Sequence, residues 1–178
     1  AVLERRVGPL VGESVVVVEC VPHARDLEAH LRQEIGRCAP AEWRAHKREL
    51  SKLLAQRLRQ LEERWIHHRD CKAGNLLVVT RPALQLVWID MDGLRLRQRP
   101  LEAEERLTPL VRLDVSLRGV PGLTRTDRAR FLMQYASRYG ARAGAWKTLW
   151  RAIDPRARQK LAALTQRREW KRAHYGRE

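Results

Sequence analysis

Three side chains with hard oxygen atoms stand at spacings that suit phosphoryl transfer. Asp70 and Asn75 lie five residues apart in the polar run His67-His68-Arg69-Asp70-Cys71-Lys72-Ala73-Gly74-Asn75, and Asp90 follows the apolar run Leu84–Ile89. A phosphoryl-transfer transition state spreads negative charge over phosphate oxygens, so catalysis there is mostly positioning and charge compensation. Asp70 is placed to accept the proton of an attacking hydroxyl. Lys72 can stabilise the phosphate in transit. Asn75 and Asp90 offer oxygens of the hardness that magnesium prefers, and that ion takes only one or two carboxylates alongside phosphates. A lone His-Arg-Asp triplet arises by chance in a basic chain. Asn75 at its spacing, then a strand ending in Asp90-Met91-Asp92-Gly93, makes the pattern specific. Of the two acids, Asp90 is the better metal ligand because a strand end fixes its direction, and Asp92 reads as a turn residue. His68 reads as a structural ring that pins the loop, and Arg69 either pairs with a carboxylate or faces solvent.

Such a loop needs rigid elements on both sides. Upstream, Trp43, Leu50, Leu53, Leu54, Leu58, Leu61 and Trp65 recur at helical spacing, with Pro40 where a first turn tolerates it. This predicts a long helix through about Arg64, with both tryptophans on its core face and the polar run following directly as a loop. Downstream, Leu76–Thr80 and Leu84–Ile89 flank Arg81-Pro82 and predict a small hairpin. Near the start, Gly8-Pro9 and Gly12 suggest a turn-rich segment over residues 1–13. The β-branched run Val15–Cys20 suggests a buried strand ended by Pro22, and Asp26 can cap a short helix through about Gln33. The remainder reads as helical: one helix capped by Thr124 or Thr126, then segments at about 145–153 and 155–173 divided before Pro155. The fold class expected is mainly α with short β-strands, α+β.

The chain has 178 residues and 44% hydrophobic composition, enough for a real core. No apolar run approaches the roughly 18 residues of a membrane helix. Net charge is +15, with eleven Lys or Arg against three acids from Ala141 to Glu178. That balance favours anionic partners without choosing among nucleic acid, lipid head groups and phosphorylated substrates. The basic tail reads equally as a solvated helical surface or as a docking element. Cys20, Cys38 and Cys71 match no zinc pattern and read as reduced thiols of a cytosolic protein.

The loop and its acidic partner resemble the protein-kinase catalytic loop and metal-binding Asp. Together with Trp88-Ile89-Asp90-Met91-Asp92, Leu110–Leu117 and Thr124–Leu132, they resemble the lipopolysaccharide kinase (Kdo/WaaP) family over roughly residues 10 to 140. That resemblance implies a kinase-like C-terminal lobe over 23–178 with a basic helical tail, and a remnant of the small lobe and hinge over 1–22. It implies ATP and Mg2+ as cofactors, with adenine held by backbone groups of Glu19 and Val21. Asp26 would either approach the ribose or simply cap its helix. The acceptor implied is a heptose or Kdo hydroxyl of the lipopolysaccharide core, at the cytoplasmic face of the membrane, with peripheral contact to anionic lipid. No Gly-x-Gly-x-x-Gly pattern occurs, and no lysine precedes Lys47. The reading therefore expects most of the small lobe to be missing, and little or no catalysis from this chain by itself.

Other readings stay open at this point. A small-molecule or protein kinase of the same fold would share the loop, because acceptor choice lies on other surfaces. A pseudokinase or orphan lobe that binds a partner fits the short upstream region but not the retention of Asp70, Asn75 and Asp90. Nucleic-acid binding fits the charge, although the six tryptophans form no evident stacking platform.

Overall fold

The helix that must support the loop forms because its apolar positions fall on one stripe. In a computed structural model, which describes residues 20–137 and 144–176 and the backbone of Val2–Val7 and Leu10–Val16, helix α2 spans Pro40–Glu63. Pro40 opens it, and the Glu42 carboxylate accepts the Ala39 amide at 3.1 Å. Its inner face carries Trp43, Leu50, Leu54, Ala55 and Leu58, all buried. Trp65 does not join them: it lies beyond the helix end with φ 57° and is 41% exposed. The stripe predicted the helix correctly, but the chain leaves the helical path one residue before Trp65.

Among the described residues the elements run three strands, two helices, four strands and three helices. Strands β1 (Val2–Val7) and β2 (Leu10–Val16) pair antiparallel, with the register shifting between Arg5 and Arg6. The turn-rich reading of residues 1–13 is thus corrected to a hairpin. The strand expected from Val15 begins at Leu10 and ends at Val16, and residues 17–19 lie outside the described part. Strand β3 (Ala24–Asp26) leads into α1 (Leu27–Glu34), and Asp26 Oδ1 accepts the Ala29 amide at 2.9 Å as its N-cap.

After α2 comes β4 (Ile66–His68), not a loop. It pairs with β7 (Leu94–Leu96), bringing His68 opposite Leu94. Between them, β5 (Leu76–Val79) and β6 (Gln85–Trp88) form the expected hairpin, and β3 adds a third antiparallel strand in the order β3-β5-β6. Leu76 and Val78 of β5 are fully buried, and Leu76→Ala would cost about 2–5 kcal/mol.

Helices α3 (Ala103–Leu117), α4 (Arg125–Ala136) and α5 (Ala145–Tyr175) close the core. Thr124 caps α4 in a reciprocal box with Asp127, and Lys47 of α2 reaches Asp127 at 2.6 Å. The two tail segments expected on either side of Pro155 are one helix. Ile153 and Ala157 bury on either side of that proline, and Asp154 pairs with Arg118 at 2.6 Å. Tertiary contacts outweigh the one backbone hydrogen bond that Pro155 cannot donate. Among the described residues no helix is long and apolar enough to cross a membrane.

Candidate active site

The β4–β7 ladder fixes the loop at its start. The Arg69 amide donates to Gly93 O at 2.9 Å, one step beyond the His68–Leu94 pair. From there the chain closes on itself: Lys72 N donates to Asp70 O at 3.0 Å, and Asn75 N to Lys72 O at 2.9 Å, around a short 3-10 turn over Ala73–Asn75. The Ala73 amide, in a fully buried residue, donates to Ser116 Oγ of α3 at 2.9 Å. Asn75 O accepts from Ile89 N at 3.0 Å, which extends the β5–β6 register and sets Asp90 beside Asn75.

Asp90 takes the left-handed conformation, φ 58° and ψ 67°. Asp tolerates that region better than most residues, and such strain recurs at functional sites. A 3-10 turn over Met91–Gly93 then returns the chain to β7.

The three predicted residues meet. Asn75 Nδ2 donates to Asp70 O at 2.9 Å, to Asp70 Oδ2 at 3.2 Å and to Asp90 Oδ2 at 3.3 Å. No described residue donates to Asn75 Oδ1. Lys72 Nζ donates to Asp70 Oδ2 at 2.8 Å, and Arg112 of α3 faces the other oxygen, Oδ1, at 3.6 Å. The hydrogen bond from Lys72 is the main reason that the Asp70 carboxyl sits below its ordinary range; burial opposes it, and the charges of Lys72 and Arg112 and the Asn75 amide reinforce it. Asp70 is therefore ionised at neutral pH, as a proton acceptor must be.

His68 is buried edge-on against Trp88 with ring centroids 4.8 Å apart, and burial pushes its imidazole below the usual value. It is a neutral packing group, in keeping with the structural role read for it. Arg69 is exposed and makes no described ion pair. Asp92 lies exposed in the turn. Burial pushes the Cys71 thiol up, with the Asp70 charge adding to it, so this cysteine is an inert neighbour.

Of the residues expected at the nucleotide, Asp26 pairs with Leu77 of β5, two residues past Asn75. Glu19 lies outside the described residues, Val21 is partly buried, and one oxygen of Asp26 is engaged in capping α1. Sequence reasoning gave no role to Ser116 or Arg112, although both lie in the Leu110–Leu117 run. Their i,i+4 spacing places them on one face of α3 and was the available signal.

A model of the lipopolysaccharide kinase (Kdo/WaaP) family matches residues 1–135. The chain belongs to the lipopolysaccharide kinase (Kdo/WaaP) family. Among solved structures, this family member is similar to WaaP in complex with acyl carrier protein, with a TM-score of 0.64 and 26% identity over 89% of this chain. It spans 66% of that chain, just under two thirds. Comparison with curated protein sequences gives no match. The Asp90 carboxylate is a hard oxygen donor of the kind magnesium takes, whereas Asn75 turns its Nδ2, not its Oδ1, toward both carboxylates. Among the described residues no trio of His, Cys, Asp or Glu is grouped for a transition metal.

Proposed function

We propose that this chain carries the transfer centre of an ATP- and magnesium-dependent kinase that phosphorylates a heptose or Kdo hydroxyl of the lipopolysaccharide core. Residues 23–178 form a kinase-like C-terminal lobe, and 1–22 belong to the small lobe and hinge, with Glu19 and Val21 presenting backbone groups to adenine. The observation that carries this reading is the reach of one amide, Asn75 Nδ2, to both Asp70 and Asp90. The family membership supports the reaction class.

In this reading Asp70 orients the acceptor hydroxyl and takes its proton. Lys72 holds positive charge beside the phosphate in transit, and its bond to Asp70 keeps the base ionised. Asn75 and Asp90 would hold magnesium, which supplies charge neutralisation at the phosphate oxygens. Ser116 fixes the loop amide at Ala73 and so positions the base without touching a substrate. The +15 charge and the exposed Trp170 and Tyr175 near the end of α5 suit peripheral contact with an anionic membrane on the cytoplasmic side. Acyl carrier protein joins the candidate partners because the similar WaaP structure contains it.

The test is transfer of labelled phosphate from ATP to lipopolysaccharide core lacking its phosphates, with magnesium present. Asp70→Ala and Asp90→Ala should each abolish it. Transfer that survives both substitutions sinks the proposal.

A further inference from the structure

Two histidines outside the site share one hydrogen bond. His30 of α1 and His46 of α2 meet through their Nε2 atoms at 2.7 Å, with ring centroids 5.0 Å apart. His30 is 2% exposed, and His46 is partly buried. A neutral imidazole has one N–H and one bare nitrogen, so whichever ring donates, its partner must accept on a nitrogen without a proton. One extra proton leaves the bond intact, because a charged ring still donates to a neutral one. A second proton leaves two N–H groups pointing at each other between like charges.

The surroundings resist that second proton. Burial pushes the His30 imidazole below its ordinary value; the His46 charge adds to this, Glu34 opposes it and Arg25 assists. Glu34 is also engaged by the Cys38 thiol, which donates to its Oε2 at 3.3 Å. Of the elements packed on α1, β3 brings Arg25 and the capping Asp26. Strand β5 and the Ala73–Asn75 turn bring no titratable side chain. On α2, Lys47 next to His46 is taken up by Asp127 and Gly122 O.

Helix α1 has a place near the candidate active site. Its Leu27 and Leu31 are buried, and the helix packs against β5 and the turn that carries Asn75. The His30–His46 bond ties this backing helix to α2.

We propose that the His30–His46 pair is an acid-sensitive latch: it holds α1 against α2 while its bond is intact, and a second proton opens it, loosens the turn that carries Asn75 and lowers transfer. The latch stands without the kinase reading; only its effect on transfer rests on that reading. An imidazole that the fold holds below its ordinary value contributes stability that is full above the unfolded value of about 6.5 and lost as pH falls through the folded value.

The test compares the full chain with His46→Gln and His46→Asn from about pH 7.5 to about pH 5, on either side of the ordinary imidazole value. A side-chain amide donates or accepts by turning over, so its bond to His30 survives protonation of that ring. Burial holds His67 and His68 low as well, so the readout is the difference between chains, in which their contributions cancel. In denaturant unfolding, the folded-to-unfolded ratio of the unaltered chain should fall about two- to tenfold relative to the amide variants on acidification, the range for one lost hydrogen bond. His174→Gln, at the exposed end of α5, should follow the unaltered chain. In nitrogen NMR of the unaltered chain, the His30 and His46 rings should titrate as a coupled pair, and the amides of Ala73–Asn75 should shift with them. Those amides should hold still in the amide variants. Rings that titrate independently, the same pH dependence of stability in all chains, or turn amides that ignore the titration would each overturn the proposal. Phosphate transfer is read in the same samples and should decline more steeply in the unaltered chain. Transfer absent at every pH, with the latch signals as expected, sinks the kinase reading alone.

Discussion

Gly93 lies so close to Asp70 that a β-carbon at position 93 would sit 3.1 Å from the Asp70 amide nitrogen and 3.3 Å from its Cβ. His68 Nδ1 would be 3.4 Å away. The turn that follows Asp90 is thus pressed directly against Asp70. Gly93→Ala should push Asp70 outward by a few tenths of an ångström. Misplaced reacting groups lose rate steeply, so we expect about a tenfold loss of kcat or more, with a stability change of about 1–3 kcal/mol. Steady-state transfer together with a thermal melt separates the two, and unchanged kcat would refute the contact's importance.

Ser116→Ala should act on the loop from the other side. It strips the Ala73 amide of its acceptor in a fully buried residue. A buried donor left without a partner costs about 1–3 kcal/mol. Ser116→Thr, which keeps the hydroxyl, should recover most of the loss. Chemical denaturation of both variants checks this, and equal stability of the alanine variant would contradict it.

The Lys47–Asp127 pair, 2.6 Å apart and nearly buried on both sides, ties α2 to the start of α4. Burial pushes the Asp127 carboxyl up, but the bonds from Lys47 and Thr124 outweigh it and hold it low. Lys47→Met leaves Asp127 with Arg130, 2.8 Å from its other oxygen, as its remaining cation and should destabilise the chain by about 1–3 kcal/mol. Adding Asp127→Asn should restore part of that loss, because the neutral amide needs no cation. A denaturant double-mutant cycle measures the coupling, and additive effects would count against it.

Glu105 gives a pH dependence with a defined sign. Its carboxyl is pushed down to about 2, first by the bond from the Glu102 amide, with burial opposing and Arg99 and Arg97 assisting. A depressed carboxyl contributes its full stability above the unfolded value of about 4.3 and loses it as pH falls through the folded value. The stability difference between the unaltered chain and Glu105→Gln should therefore be flat from about pH 7 to pH 5 and shrink towards pH 2. Equilibrium unfolding across that range is the measurement, and a difference that grows on acidification would reverse the assignment.

The site was legible where chemistry depends on spacing along the chain. Asp70, Asn75 and Asp90 announce themselves because one turn and one hairpin separate them, and both are local structures. Helix α2 was legible from its apolar stripe. Strand β4 was not: it is three residues long, it is polar, and it exists only because β7 returns to pair with it. The pairing of β1 with β2 was read as turns because Gly8-Pro9 and Gly12 dominate its local signal. Pro155 suggested a break that packing against α3 overrides. The approach of Arg112 to Asp70 carries no signal in sequence, since only the packing of α3 against the loop creates it.

One turn of α3 presents both the hydroxyl that anchors Ala73 and the guanidinium that looks toward Asp70. The loop that carries Asp70 and the guanidinium beside that carboxylate are therefore mounted on a common strut. Any slippage of that helix carries the two along together, so their mutual alignment survives movements that would misalign a centre assembled from separate supports.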